Sequence, residues 1–166
     1  MTTTERTDHL DALAVHRGLL LHTVRGLTDE QARRRTTVSE LTLGAVIKHV
    51  THCERGWVDF IERGTVAMEA TEDNWNAHRD SFTFRDDETL AGLVDEYAQV
   101  AKHTDALVES LPSLDLAHRL PEAPWFPTGA TRSARRVLTH IVAETAQHAG
   151  HADILREALD GQRTMA

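Results

Sequence analysis

The stretch SARRVLTHIVAETAQHAGHADILREALD, residues 133–160, decides the fold class. Plotted at about 3.6 residues per turn, Val137, Ile141, Ala152, Leu155 and Leu159 fall on one stripe, the side of a long helix that enters a core. Glu144 and His148 lie inside that stripe, and His151 sits at its edge. A carboxylate and an imidazole turned toward a core cost free energy unless something pairs with them. At positions i and i+4 they point the same way and are able to grip one metal ion, as in helix-borne zinc sites. A plain Glu–His hydrogen bond at a helix–helix seam is the other reading of the same pair.

The remaining chain repeats the helical pattern. Leu10, Leu13, Ala14, Leu20, Leu21 and Val24 mark the buried side of a first helix expected over Asp8 to Arg25 and stopped by Gly26. Thr28 and Gln31 have capping-box spacing and open a short helical turn. Leu43, Val46, Ile47, Val50, Trp57, Val58 and Ile61 define a second long helix from Thr42 to Glu62, ended by Gly64. The segment from Thr65 to Arg85 shows no period and reads as a long connection. A third helix is expected from Asp86-Asp87 to Ser110, ahead of Pro112. Pro121, Pro124 and Pro127 mark a second long connection, after which the fourth helix begins near Thr131 and ends at Gly161. Four long amphipathic helices imply an all-α fold, a four-helix bundle with connections of unequal length, as one domain over residues 1–166.

Bundle sites draw side chains from facing helices, so Glu144 and His148 need a partner from elsewhere. The second helix offers His49, His52, Cys53 and Glu54. With Val46 as zero and about 100° per residue, the apolar side centres near Val50 and Trp57. His49 stands about 60° from Val46, beside Cys53 and Phe60, whereas His52 lies about 120° away on the solvated side. His49 is therefore the inward candidate, and the metal set is His49, Glu144 and His148. Cys53, one turn after His49, is either packing or a soft ligand. Glu54 either hydrogen-bonds a ligand histidine or pairs with an arginine. His151 is open as a further ligand, a substrate contact or a partner to a ligand. His16, His22, His78, His103, His118 and His140 lack partners at metal spacing and are taken as surface residues.

Charge and composition narrow the function. A net charge of −8 opposes a nucleic-acid grip or adhesion to an anionic membrane. With Cys53 as the one cysteine, an intrachain disulfide is impossible and a reducing cytoplasm is expected. Met1 to Asp8 has no apolar core of a signal peptide, and no stretch is long and apolar enough to span a bilayer. No G-x-G-x-x-G, P-loop or nucleophile elbow is present.

Three stretches carry a family likeness: LTLGAVIKHV at 41–50 followed by Glu54-Arg55-Gly56-Trp57, FRDDETL at 84–90, and HIVAETAQHAGHADILRE at 140–157 closed by Asp160-Gly161. In these the chain resembles the DinB/YfiT-like superfamily of metal-binding four-helix bundles, nearest to its actinobacterial branch of mycothiol-dependent transferases and isomerases. The likeness covers nearly the whole chain, and the ending H-A-G-H-A-D-I-L-R-E-x-x-D-G is its most specific part. The family's metal triad takes one histidine from the second helix and two ligands, four apart, from the last. It maps onto His49, Glu144 and His148. Many DinB-like proteins have His where this chain has Glu144, and Glu there resembles the mycothiol-dependent members, whose metal is zinc.

Two nitrogens and one carboxylate oxygen suit Zn²⁺ and leave a position open, the mark of a catalytic site. Ni²⁺ or another divalent transition metal would also bind such donors. The open position would hold a thiol as thiolate, or a water of lowered pKa. The resemblance implies the thiol route, with mycothiol or a similar low-molecular-weight thiol and a small electrophile as partners. A non-catalytic, stress-linked metal-binding bundle and a metal-dependent hydrolase stand as the alternatives, and a homodimer is expected from the bundle's faces.

Overall fold

The computed structural model describes residues 3–164; Met1, Thr2, Met165 and Ala166 lie outside the described residues, and with them the start of the polar N-terminal stretch. In chain order the elements are α1 (Thr3–His22), the short α2 (Asp29–Arg33), α3 (Leu43–Arg63), a 3-10 turn (Gly64–Met68), α4 (Glu72–Asp80), α5 (Leu90–Ser110), strands β1 (Ala117–Arg119) and β2 (Thr131–Ser133), and α6 (Ala134–Asp160). α6 packs on α1 and on α3, and α3 packs on α5. The expected four-helix bundle is present. No helix of the described residues is long and apolar enough to cross a membrane.

Capping chemistry sets the helix ends. The Thr42 and Thr89 hydroxyls accept from the backbone of Ala45 and Gly92 at the starts of α3 and α5, and Ser133 accepts from Arg136 at the start of α6. The capping box of Thr28 and Gln31 is formed. Gly161 ends α6 in the left-handed conformation, at φ 80°.

Several boundaries differ from the sequence expectation: α1 ends at His22 rather than Arg25, followed by a turn that closes on Gly26 at φ 74°. α1 starts at Thr3 rather than Asp8, because tertiary contacts hold its polar first turns: Glu5 pairs with Arg135, and Arg6 donates to the carbonyls of Val108 and Leu111. α5 starts behind Thr89, three residues later than expected, while Asp87 binds Arg85 in the turn before it. The segment from Thr65 to Arg85 contains the 3-10 turn and α4; since α4 buries none of its residues, no apolar period marks it. Thr131 to Ser133 belong to β2, which pairs antiparallel with β1 from Ala117↔Ser133 to Arg119↔Thr131, so α6 begins at Ala134.

The core is divided. One apolar cluster holds Leu20, Val46, Ile47, Val50, Leu93 and Leu155. The other holds Leu13, Phe60, Ile61, Val108, Val137 and Ile141. Between them lie four buried polar residues, one from each long helix: Arg17, Glu54, Thr104 and Thr145. Arg17 grips both oxygens of Glu54 and reaches Asp105 at 2.8 Å, while the Thr104 hydroxyl donates to Glu54 at 2.6 Å. Of the two roles open to Glu54 in the sequence, pairing with an arginine is the one seen.

Removing one partner of such a pair leaves an uncompensated buried charge, at a cost of about 3–5 kcal/mol. Urea denaturation of Arg17→Ala should show a loss of that size, and Arg17→Met combined with Glu54→Leu should recover most of it. An Arg17→Ala variant as stable as the parent would contradict the buried pair.

Candidate metal centre

α3 and α6 face each other, and their register decides what meets. α3 turns His49 inward, 5% exposed, with Cys53 one turn further on. α6 presents Glu144 opposite. One ligand atom each from His49, Cys53 and Glu144 lie within 4.8 Å of one another. His148 stands beside this trio: its Nε2 is 3.7 Å from Glu144, and its ring centroid is 4.9 Å from that of His49. His151 lies behind His148, with the two Nδ1 atoms 3.5 Å apart. Glu54 does not join them, being held by Arg17.

The His49 ring is oriented from outside the bundle. The Ser81 hydroxyl donates to the His78 carbonyl at 2.6 Å, so its oxygen accepts from His49 Nδ1 at 3.0 Å. That fixes the tautomer: Nδ1 carries the hydrogen, and Nε2 turns a lone pair toward Cys53 Sγ at 3.4 Å. Phe82 stacks on the ring at 3.9 Å between centroids. Ser81 and Phe82 come from the α4–α5 connection, which is anchored to α3 twice. Gly44 lets Phe84 approach so closely that a Cβ there would lie 2.2 Å from the Phe84 ring. Lys48 Nζ binds Asp80 at 2.7 Å and Glu88 at 2.8 Å. Residues 41–50 and 84–90, separate in the sequence, thus meet in space to hold His49.

α6 is fixed at its far end by Arg156, which is 4% exposed. Arg156 donates to the carbonyls of Thr23 and Arg25 and pairs with Asp160 at 3.0 Å. This is the physical content of the R-x-x-x-D-G ending.

The local electrostatics suit metal donors. Burial, with His148, His78 and His52 nearby, pushes His49 down to about 3, so it is a neutral imidazole at ordinary pH. Burial and the neighbouring His151 also lower His148. Cys53 is pushed up to about 12 by burial and by the Glu144 charge, and it stays a neutral thiol until something replaces its proton. Neutral nitrogens, a carboxylate and a thiol in one half-buried cluster make a donor set for a divalent transition metal.

Several residues near the centre escaped the sequence reading. His140 is not a surface residue: it is half-buried, 3.5 Å from Glu144 and packed edge-on against Trp57 at 4.9 Å. Its spacing four before Glu144 was the available signal. His118 is half-buried too, at 3.0 Å from the Ile61 carbonyl. His78 is exposed but lies 5.8 Å from the His49 ring, and His52 lies 5.9 Å from His78. Ser81 and Phe82 carried no signal, since their segment shows no period. An open cavity of about 600 Å³ adjoins the centre, with Cys53, His140 and Trp57 in its wall.

The sequence model of a family described as mycothiol S-transferase matches residues 9–161. No curated protein matches the chain. Among solved structures, a conserved protein from Enterococcus faecalis is similar, with a TM-score of 0.69 and 12% identity over 98% of this chain and 99% of that one. At that identity the likeness concerns the fold alone.

The lowered His49 gives a pH dependence. Between its ordinary value of 6.5 and about 3, an unfolded chain takes up a proton that the native chain refuses. The native state therefore loses stability as pH falls through that window. Denaturant melts of metal-free protein should show a shallower acid loss in His49→Gln than in the parent; equal slopes would contradict a neutral buried His49.

Proposed function

The chain belongs to the mycothiol S-transferase family of DinB/YfiT-like bundles, and on that premise we propose that it is a metal-dependent thiol S-transferase. In this reading zinc is the metal, and mycothiol or a similar low-molecular-weight thiol is joined to a small electrophile. The observation that carries it is the meeting of His49 with Glu144 and His148, beside an open cavity whose wall includes the neighbouring Cys53 and His140.

His49, Glu144 and His148 are the ligands in this proposal. Two imidazole nitrogens and one carboxylate oxygen suit zinc and leave a coordination position open. A metal held there supplies the charge that keeps a bound thiol ionised near neutral pH. The protein's own groups do the rest. Ser81 holds the His49 tautomer so that Nε2 is free to coordinate. Phe82 and the α3–α6 seam shield one side of the cluster from water. Glu144 contributes negative charge, which tempers the acidity of the site. Cys53 and His140 stand where the centre opens to the cavity, as contacts for the incoming molecules. In the transfer, sulfur would form a bond to the electrophilic carbon as the bond from that carbon to its leaving group breaks; the leaving group departs with the bonding pair, and the thiol proton passes to solvent.

Purified protein should bind about one zinc per chain and accelerate conjugation of mycothiol to a chromogenic electrophile. His49→Ala should lose most metal and rate, and His52→Ala should keep both. Ser81→Ala should weaken metal binding by about 10–100-fold. Chelation should abolish the rate while leaving the helical circular dichroism, because both apolar clusters pack without help from the centre. Full metal loading with no conjugation at all would sink the transferase reading.

A further inference from the structure

The cavity beside the metal centre has an unusual wall. The chain has three tryptophans, and all of them line it: Trp57 from α3, Trp75 from α4 and Trp125 from the β1–β2 connection. Trp75 and Trp125 meet edge to face at 5.3 Å, yet remain 43% and 58% exposed. Phe126 and Met68 extend the same apolar surface. Aromatic faces left open to solvent within one concave site favour a flat aromatic guest, which would stack on them and displace water.

The same wall holds a cation with unmet donors. Arg132, on β2, lies with its guanidinium carbon 5.0 Å from the Trp57 ring and 5.6 Å from the Phe126 ring. Its buried Nη1 has no hydrogen-bond partner, and no carboxylate among the described residues pairs with it. Arg55, the other arginine of the wall, is already taken by Glu96 at 2.6 Å. Asp59 and Glu69 also line the cavity, so the wall does not attract anions in general. An anion gains there only by reaching the Arg132 fork, whose planar donors match a carboxylate.

We propose that this cavity binds the electrophile of the transfer reaction, and that it selects a planar aromatic molecule carrying a carboxylate, stacked on the tryptophans and held by Arg132. The inference rests on the transferase reading. Cys53 and His140 line the same cavity and belong to the surroundings of Glu144, so the guest lies next to the metal centre. With a chloronitrobenzoate as electrophile, the thiol sulfur bonds to the ring carbon and the carbon–chlorine bond breaks. Chloride leaves with the bonding pair, and the thiol proton goes to solvent.

Binding is testable without turnover, since every tryptophan reports from the cavity. Quenching of tryptophan fluorescence in the full-length protein should show 3-nitrobenzoate binding at least about tenfold more tightly than neutral 3-nitrobenzamide. Arg132→Gln should erase that preference while leaving the benzamide affinity unchanged. Arg132→Lys should keep part of it, and the exposed Arg136→Gln should keep all of it, with circular dichroism confirming that each variant folds. Equal affinity for the two probes, or a preference that survives Arg132→Gln, overturns the proposal. The second arm offers mycothiol with 4-chloro-3-nitrobenzoate or 4-chloro-3-nitrobenzamide. Faster transfer to the benzoate through a lower KM, lost in Arg132→Gln, supports the proposal. Equal transfer to both overturns it while the transferase reading stands. A binding preference with no transfer to either leaves Arg132 as an anion site but overturns the transferase reading, and with it the cavity's role as the electrophile site.

Discussion

The pairing of Arg17 with Glu54 in the middle of the bundle is the constraint on which the site depends. Two desolvated charges must meet with good geometry, and the Thr104 hydroxyl must reach the same carboxylate. Only a narrow range of rotations and translations of α1, α3 and α5 satisfies all three. Glu54 is the residue after Cys53 and five after His49 on α3. Turning Glu54 toward α1 and α5 therefore turns His49 and Cys53 toward α6. Thr145, in the same buried layer, is the residue after Glu144. An apolar pair of similar volume would serve stability as well. We assign the charged pair the task of setting the register that brings donors from α3 and α6 together.

A second constraint acts from outside the bundle. The α4–α5 connection has little core of its own, yet it supplies the hydroxyl that orients His49 and the ring that covers it. It is held by a close approach that requires glycine at 44 and by a lysine bridging two acids. The geometry of the centre is thus set by groups in its second layer as much as by the donors themselves. The cavity owes its shape to the same connection, because α4 brings Trp75 across to Trp125.

The bundle was legible because each long helix carries an apolar stripe of one period, interrupted by few polar residues. The inward face of His49 followed from the same period, as did the shared face of Glu144 and His148. What stayed hidden had no period to reveal it. α4 buries nothing, so neither it nor Ser81 and Phe82 beyond it left a trace in hydropathy. β1 and β2 have three residues each, too few to show alternation. His140 was visible in principle as the first member of a His-Glu-His series four residues apart. Its other partner, Trp57, comes from a different helix and leaves no mark in the spacing. The family likeness in residues 41–50 and 84–90 was readable as pattern, but its cause, Phe84 packed on Gly44 and Lys48 paired with Glu88, is contact between segments far apart in the sequence.

The central claim is that the centre holds a metal whose open position accepts a thiol. Cobalt tests it most directly, because sulfur coordination adds charge-transfer absorption that nitrogen and oxygen ligands lack. The Cys53→Ser variant removes the protein's own sulfur from the comparison. Loaded with Co²⁺, this variant should gain a saturable charge-transfer band when mycothiol is added, and His49→Ala in the same background should not. A cobalt spectrum that saturating mycothiol leaves unchanged would contradict the account.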